Sequence, residues 1–308
     1  MAQRLLFDPG TEDVTPEDES DEAKFARYQQ VWAGRTEENT ATVLSYSGGT
    51  SSEWPLQAML RGIIRRPERF AVCMADTGEE HEWTYDRAAY VAQLCKDEGI
   101  PFLKCKDERQ TLGDHLIAKE GTRIDQPPLW FKTGTGHGRA ANRCTGRWKV
   151  APMRRAVSQW LSETGQPKRV IKWIGFGADE NWRATKAVSK AHRDVQWEAL
   201  AFPGIRYGVT RGQQQEDLKR WTGSTPLFSQ CIHCPHKNDD RWRQTPATQL
   251  KRVFAIDEAV RDLSERGFDQ EAYLSSALIP VRQLLKTGRR QQSLPHIDGG
   301  CDGGHCML

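Results

Sequence analysis

The stretch Ser45-Tyr46-Ser47-Gly48-Gly49-Thr50-Ser51-Ser52, directly after the apolar run Thr42-Val43-Leu44, constrains this chain more than any other. A β-branched start, two glycines and a cluster of hydroxyls predict a strand, a tight loop and then a helix from about Glu53 to Gly62. The glycines let the backbone come close to an anion. The new helix points unpaired N–H groups at it, and Ser47, Ser51 and Ser52 add hydroxyl donors. The loop lacks the lysine and the longer spacing of a Walker A sequence, which argues against an ordinary P-loop kinase or GTPase. A strand–turn–helix corner without a ligand is the plain alternative, and the rest of the chain weighs against it.

A second buried-strand pattern, Phe70-Ala71-Val72-Cys73-Met74-Ala75, ends in Asp76-Thr77-Gly78-Glu79. Ligand-binding groups of a parallel sheet collect at the carboxyl ends of its strands, so Asp76 and Glu79 are expected to orient a ribose or a magnesium ion beside the phosphate loop. Further apolar runs at Pro101–Leu103 and Val170–Gly177 end in comparable ways, the last in Ala178-Asp179-Glu180-Asn181. Helical patterns at 84–98, 111–119 and 150–163 lie between them. The alternation predicts an α/β fold with a doubly wound, mostly parallel sheet.

Together these residues resemble the PP-loop ATP pyrophosphatase superfamily and, within it, the phosphoadenosine phosphosulfate (PAPS) reductase family. Ser47-Gly48-Gly49-Thr50-Ser51-Ser52 is similar to the family's Ser-Gly-Gly-x-Asp-Ser, with Ser51 in place of the Asp. Asp76-Thr77-Gly78 matches its Asp-Thr-Gly, and Cys144-Thr145 with Lys149 and Pro152 its Cys-Thr-x-x-x-Lys-x-x-Pro. Gly175 to Glu180 looks like its Gly-Ile-x-x-Asp-Glu, and Cys231-Ile232-His233-Cys234-Pro235 like the Cys-x-x-Cys-Pro of a Cys-rich subgroup. The resemblance spans roughly residues 41–308. It implies an adenine nucleotide alpha hydrolase-like domain at 41–225, a helical Cys-containing subdomain at 226–308 and an acidic arm at 1–40. It also implies ATP or phosphoadenylyl sulfate with Mg2+, bound by Ser47 to Ser52, Asp76 to Glu79, Gly175, Asp179 and Glu180.

Composition bounds the rest. At 308 residues and 37% apolar the chain can bury one full core with a small appendage. No apolar run reaches a membrane span and the start does not read as a signal peptide, so no membrane partner and a cytoplasmic location are expected. Net charge is +3 but unevenly placed. Residues 12–22 hold seven acids and no base, which reads as a weakly docked arm. Arg139, Arg143, Arg147, Lys149, Arg154 and Arg155 form one basic run; Arg183, Lys186, Lys190 and Arg193, flanked by Trp182 and Trp197, form another. Such runs bind nucleic-acid or nucleotide phosphates, or are a solvated face.

The eight cysteines divide by setting. Cys73, Cys95 and Cys105 read as filler. Cys231 and Cys234 sit in a Cys-x-x-Cys loop that can grip a metal or cluster edge. Cys144 lies between Arg143 and Arg147, which are expected to favour its thiolate. Cys301 and Cys306 lie in a glycine-rich tail. The resemblance tips the expectation toward a four-iron (4Fe-4S) cluster on Cys144, Cys231, Cys234 and Cys306 or Cys301, with zinc as the alternative, given His233 and His236 nearby.

Two mechanistic classes follow. In the favoured one the chain adenylates its acceptor, a nucleotide or nucleic acid, releases pyrophosphate and delivers sulfur from a donor protein, with Asp76 and Arg147 in catalytic roles. In the other Cys306 attacks a bound phosphosulfate nucleotide, and a thiol reductant protein regenerates it. The single cysteine at 144, where cluster-bearing reductases carry a pair, and a tail that lacks Glu-Cys-Gly-x-His count against the second. A non-catalytic nucleotide- or nucleic-acid-binding module is a third reading.

Overall fold

The computed structural model describes residues 35–118, 126–134, 136–166, 168–191, 197–264 and 270–287. The acidic stretch at 12–22, Arg193, and the tail with Cys301, His305 and Cys306 lie outside the described residues. Strands and helices alternate first: β1 (Ala41–Tyr46), α1 (Thr50–Leu60), β2 (Phe70–Asp76), α2 (Glu82–Asp97), β3 (Phe102–Lys106), α3 (Leu112–Ala118). A hairpin of β4 (Trp130–Thr133) and β5 (Gly136–Arg139) follows, then a π-helical turn, Gly146–Val150, that runs into α4 (Ala151–Glu163). The alternation resumes with β6 (Val170–Trp173), a short 3-10 turn (Ala178–Glu180), α5 (Asn181–Ala191), β7 (Glu198–Ala201), α6 (Pro203–Arg206) and α7 (Arg211–Thr222). The chain continues through α8 (Asp239–Arg243), α9 (Ala247–Ala259), β8 (Ala272–Tyr273) and α10 (Val281–Leu284).

Five parallel strands form one sheet in the order β3-β2-β1-β6-β7. Alternation along β1 assigns its two faces. Leu44 and Tyr46 pack with Trp54 and Leu56 of α1 and with Val91 and Cys95 of α2. Ala41 and Val43 point the other way, onto Met153, Val157 and Trp160 of α4. Both faces of the central strand are therefore covered, and its near-continuous apolar run reflects that. The architecture is α/β with a parallel sheet flanked by helices, as a doubly wound fold requires. No helix of the described residues is long and apolar enough to cross a membrane.

The C-terminal part departs from the all-helical expectation. β4 is the centre of an antiparallel sheet, β5-β4-β8, whose pairs include Phe131 with Ala272. The core beneath it draws Leu112, Leu116, Leu129 and Trp148 from the first half of the chain together with Val253, Ile256 and Val281 from the last third. The final helix is confined to α10, because Pro280 at its N-cap holds an extended backbone that no helix passes through. Asp257 is 4% exposed: its carboxylate accepts from the Val281 N–H at 2.9 Å and pairs with Arg261 at 3.2 Å. It ties α9 to α10.

Candidate functional site

Strand order reverses between β1 and β6, so their carboxyl ends diverge and leave a crevice. A cavity of about 560 Å³ opens there. Its floor is the loop and first turn of α1, from Ser47 to Ser52; Phe176, Glu180 and Arg183 form the β6 side. Arg211 and Lys219 of α7, Lys149 of the π-helical turn and the segment 225–230 complete the walls. Positive side chains outnumber acids in this lining, which suits an anionic ligand.

The loop holds itself in shape. Gly48 has φ +80°, a left-handed conformation that disfavours side chains, and a Cβ there would stand 2.7 Å from Thr84 Cγ2. Ser52 is fully buried: its hydroxyl accepts from the Ser47 N–H at 3.1 Å and donates to the Gly49 carbonyl at 2.9 Å. It builds the loop instead of offering a free donor. Thr50 donates to the Pro226 carbonyl at 3.2 Å, and Ser229 donates to the Ser47 carbonyl. Segment 225–230 is thus fastened across the loop by two hydroxyls, a contact 176 to 182 residues apart in sequence.

The end of β2 does not share this cavity, because β2 lies on the far side of β1 from β6. Asp76 accepts from the Gly78 N–H at 2.8 Å and the Tyr85 hydroxyl at 2.9 Å and pairs with Lys104 at 3.1 Å. Gly78 turns the chain with φ +75°. Glu79, 3% exposed, is held by Arg252 at 2.6 Å and by the Thr111 hydroxyl at 2.9 Å. Expected beside a ribose or magnesium ion, it instead joins the parallel sheet to α9 and does not line the cavity. Thr77 donates to Glu80 at 3.0 Å and lies 3.3 Å from Cys231 Sγ.

At the end of β6 the expected residues do converge, with divided tasks. A Cβ on Gly175 would fall 1.5 Å from the Ser51 carbonyl oxygen, so only glycine lets the strand cross beneath the loop. Asp179 accepts from the Arg211 N–H at 2.9 Å, seating the start of α7. Glu180 accepts from the Gly177 N–H at 3.1 Å and pairs with Arg183 at 2.5 Å, steering that guanidinium along the cavity wall.

The π-helical turn separates three consecutive side chains. Trp148 enters the core, Arg147 pairs with Asp107 at 3.8 Å, and Lys149 reaches the cavity. Arg147, expected to be catalytic, is not part of the lining; Lys149 is. On its other side burial works against the Lys149 charge, and the Glu80 carboxylate, ahead of Cys231, Cys144 and Cys234, outweighs it and raises the lysine's pKa. The three cysteines expected to converge are all within electrostatic range of one cation. Burial pushes the Cys144 thiol up to about 12, with a further push from Cys234, opposite in direction to what Arg143 and Arg147 led one to expect. Burial raises the Cys231 and Cys234 thiols as well. Cys73 and Cys95 are fully buried in the core.

Among the described residues no group of three or more His, Cys, Asp or Glu side chains is arranged to hold a metal ion. Cys144, Cys231 and Cys234 do not form such a group by themselves, and Cys301 and Cys306, expected to supply the fourth ligand, lie outside the described residues. Gln230, in the segment that roofs the loop, was not anticipated; neither were Ser229, Arg211 and Lys219, which carry no local motif. Compared with known proteins, the chain matches no family model and no curated protein.

Proposed function

We propose that the chain is a PP-loop-type enzyme that binds an adenine nucleotide in the switch-point cavity and uses it to activate an acceptor for sulfur transfer. One observation carries this reading: Lys149 forms a wall of the cavity and is also within electrostatic range of Cys144, Cys231 and Cys234. A phosphate loop and a thiol cluster with a shared lysine put nucleotide activation and sulfur chemistry side by side.

The residues divide the work. N–H groups of the Gly48–Ser51 turn take the phosphates, and the Arg183 and Lys149 charges offset the negative charge that builds on the leaving group. An acceptor oxygen attacks the α-phosphorus, forming a P–O bond as the bond to pyrophosphate breaks. A sulfur nucleophile at the thiol cluster then attacks the activated acceptor centre, and AMP leaves with the oxygen. Mg2+ would screen the phosphates in the usual way of nucleotidyl transfer. The acceptor class we favour is a nucleotide or nucleic acid, supported by the exposed Trp182, which precedes the cavity-lining Arg183 in α5.

The test is an ATP turnover assay that resolves AMP, ADP and pyrophosphate, run with candidate nucleic acids and a sulfide source. AMP and pyrophosphate in equal amounts, with sulfur in the acceptor, support the reading. Sulfite release from a phosphosulfate nucleotide without ATP would replace it with the reductase reading.

A further inference from the structure

Gln230 sits between two parts of the site. Its neighbour Ser229 donates to the Ser47 carbonyl in the phosphate loop, and a Cβ on Gly49 would stand 3.1 Å from Ser229 Cβ. Its other neighbour, Cys231, belongs to the thiol cluster. Gln230 lines the cavity, yet the residue is only 3% exposed. Neither Nε2 nor Oε1 of its carboxamide has a hydrogen-bond partner among the described residues. Buried amide atoms are nearly always paired, because an unmet donor or acceptor forfeits its hydration without return. A residue whose two polar atoms are both unmet, at the wall of a cavity, is shaped for something that enters it.

We infer that Gln230 contacts the bound nucleotide, its Nε2 donating to an oxygen of the phosphate chain held on the Ser47–Ser52 loop. The contact follows from the position: the residue before it is bonded to the loop itself, so the carboxamide lies alongside the phosphates. A neutral amide suits this boundary, because it gives a donor to the phosphates without adding a cation beside Lys149. This inference deepens the proposed nucleotide reading and rests on it.

The test uses the full chain and three variants, with Mg·ATP, AMP and adenosine as probes. Gln230→Met keeps the side-chain volume and removes both unmet atoms. Its ligand-free melting temperature is expected to rise above that of the wild type, whereas a residue with a purely structural hydrogen bond would lower it. ATP affinity is expected to fall about tenfold, the scale of one hydrogen bond to a charged group, with adenosine affinity changed less than about twofold. Gln230→Glu is expected to weaken ATP further by repulsion, and Gln230→Asn to lose affinity by shortening the reach. Unchanged ATP affinity in Gln230→Met beside a binding wild type overturns the contact alone. A lower ligand-free melting temperature for Gln230→Met overturns it too. Absence of ATP and AMP binding in the wild type overturns both the contact and the nucleotide reading beneath it.

Discussion

The α-carbon of Gly175 lies so close to the carbonyl of Ser51 that a methyl group on it would stand 1.5 Å from that oxygen. Two strand ends from opposite sides of the reversal in strand order meet at this point. Gly175→Ala must move either the end of β6 or the first turn of α1, and both line the cavity. Overpacking of this kind costs about 1–3 kcal/mol and occasionally more. A loss of at least about 2 kcal/mol in urea unfolding is expected, together with weaker ATP binding. Wild-type stability and affinity would mean that the crossing is looser than described.

The Glu79–Arg252 pair gives the second prediction. Glu79 is 3% exposed, and its carboxylate depends on Arg252 at 2.6 Å and Thr111 at 2.9 Å. Removing one partner of a buried pair leaves a charge without compensation, which costs about 3 kcal/mol or more. Arg252→Met is therefore expected to destabilise the protein by about 3 kcal/mol. Glu79→Gln, which keeps the hydrogen-bonding shape, is expected to lower the melting temperature while leaving ATP affinity within about twofold. A large affinity loss at matched folding would return Glu79 to the nucleotide site.

Acid sensitivity is the third. His81 is fully buried, stacked on Trp83 at 4.0 Å, with Nε2 2.7 Å from Lys237 Nζ. Burial, and then the Lys237 charge, lower its pKa from 6.5 to about 3. The folded protein keeps the ring neutral while the unfolded chain protonates it. Its share of stability is thus complete above about pH 6.5 and is lost as pH falls toward 3, at about 1.4 kcal/mol per pH unit. Unfolding free energies between pH 7 and pH 5 should fall with that sign. A flat profile over this window would show that His81 is protonated in the folded state.

The parallel sheet was legible because β1, β2 and β6 are buried on both faces and write that as apolar runs ending in glycine and polar residues. The loop at Ser47–Ser52 was legible for the same local reason. Which strand ends share a crevice was not, since it depends on strand order: β6 joins β1 opposite β2, and that moves Asp76 and Glu79 out of the cavity. Hairpin β4–β5, with Gly136 and Gly138 and few apolar residues, lacks a strand-like pattern and is held by pairing with β8 from the last third of the chain. Lys149 sat in a basic run that looked uniform; the π-helical turn singles it out. Ser229 and Gln230 reach the loop only through folding, and no spacing announces them.

The shared lysine is the central claim, and calorimetric titration of Mg·ATP into wild-type protein and Lys149→Met tests it most directly. Melting curves establish that the variant is folded. The wild type is expected to bind ATP with one-to-one saturation, and the variant at least about tenfold more weakly, the scale of one charge-assisted contact to phosphate. Equal affinity in the two proteins, or no binding heat in the wild type, would contradict a nucleotide site walled by Lys149.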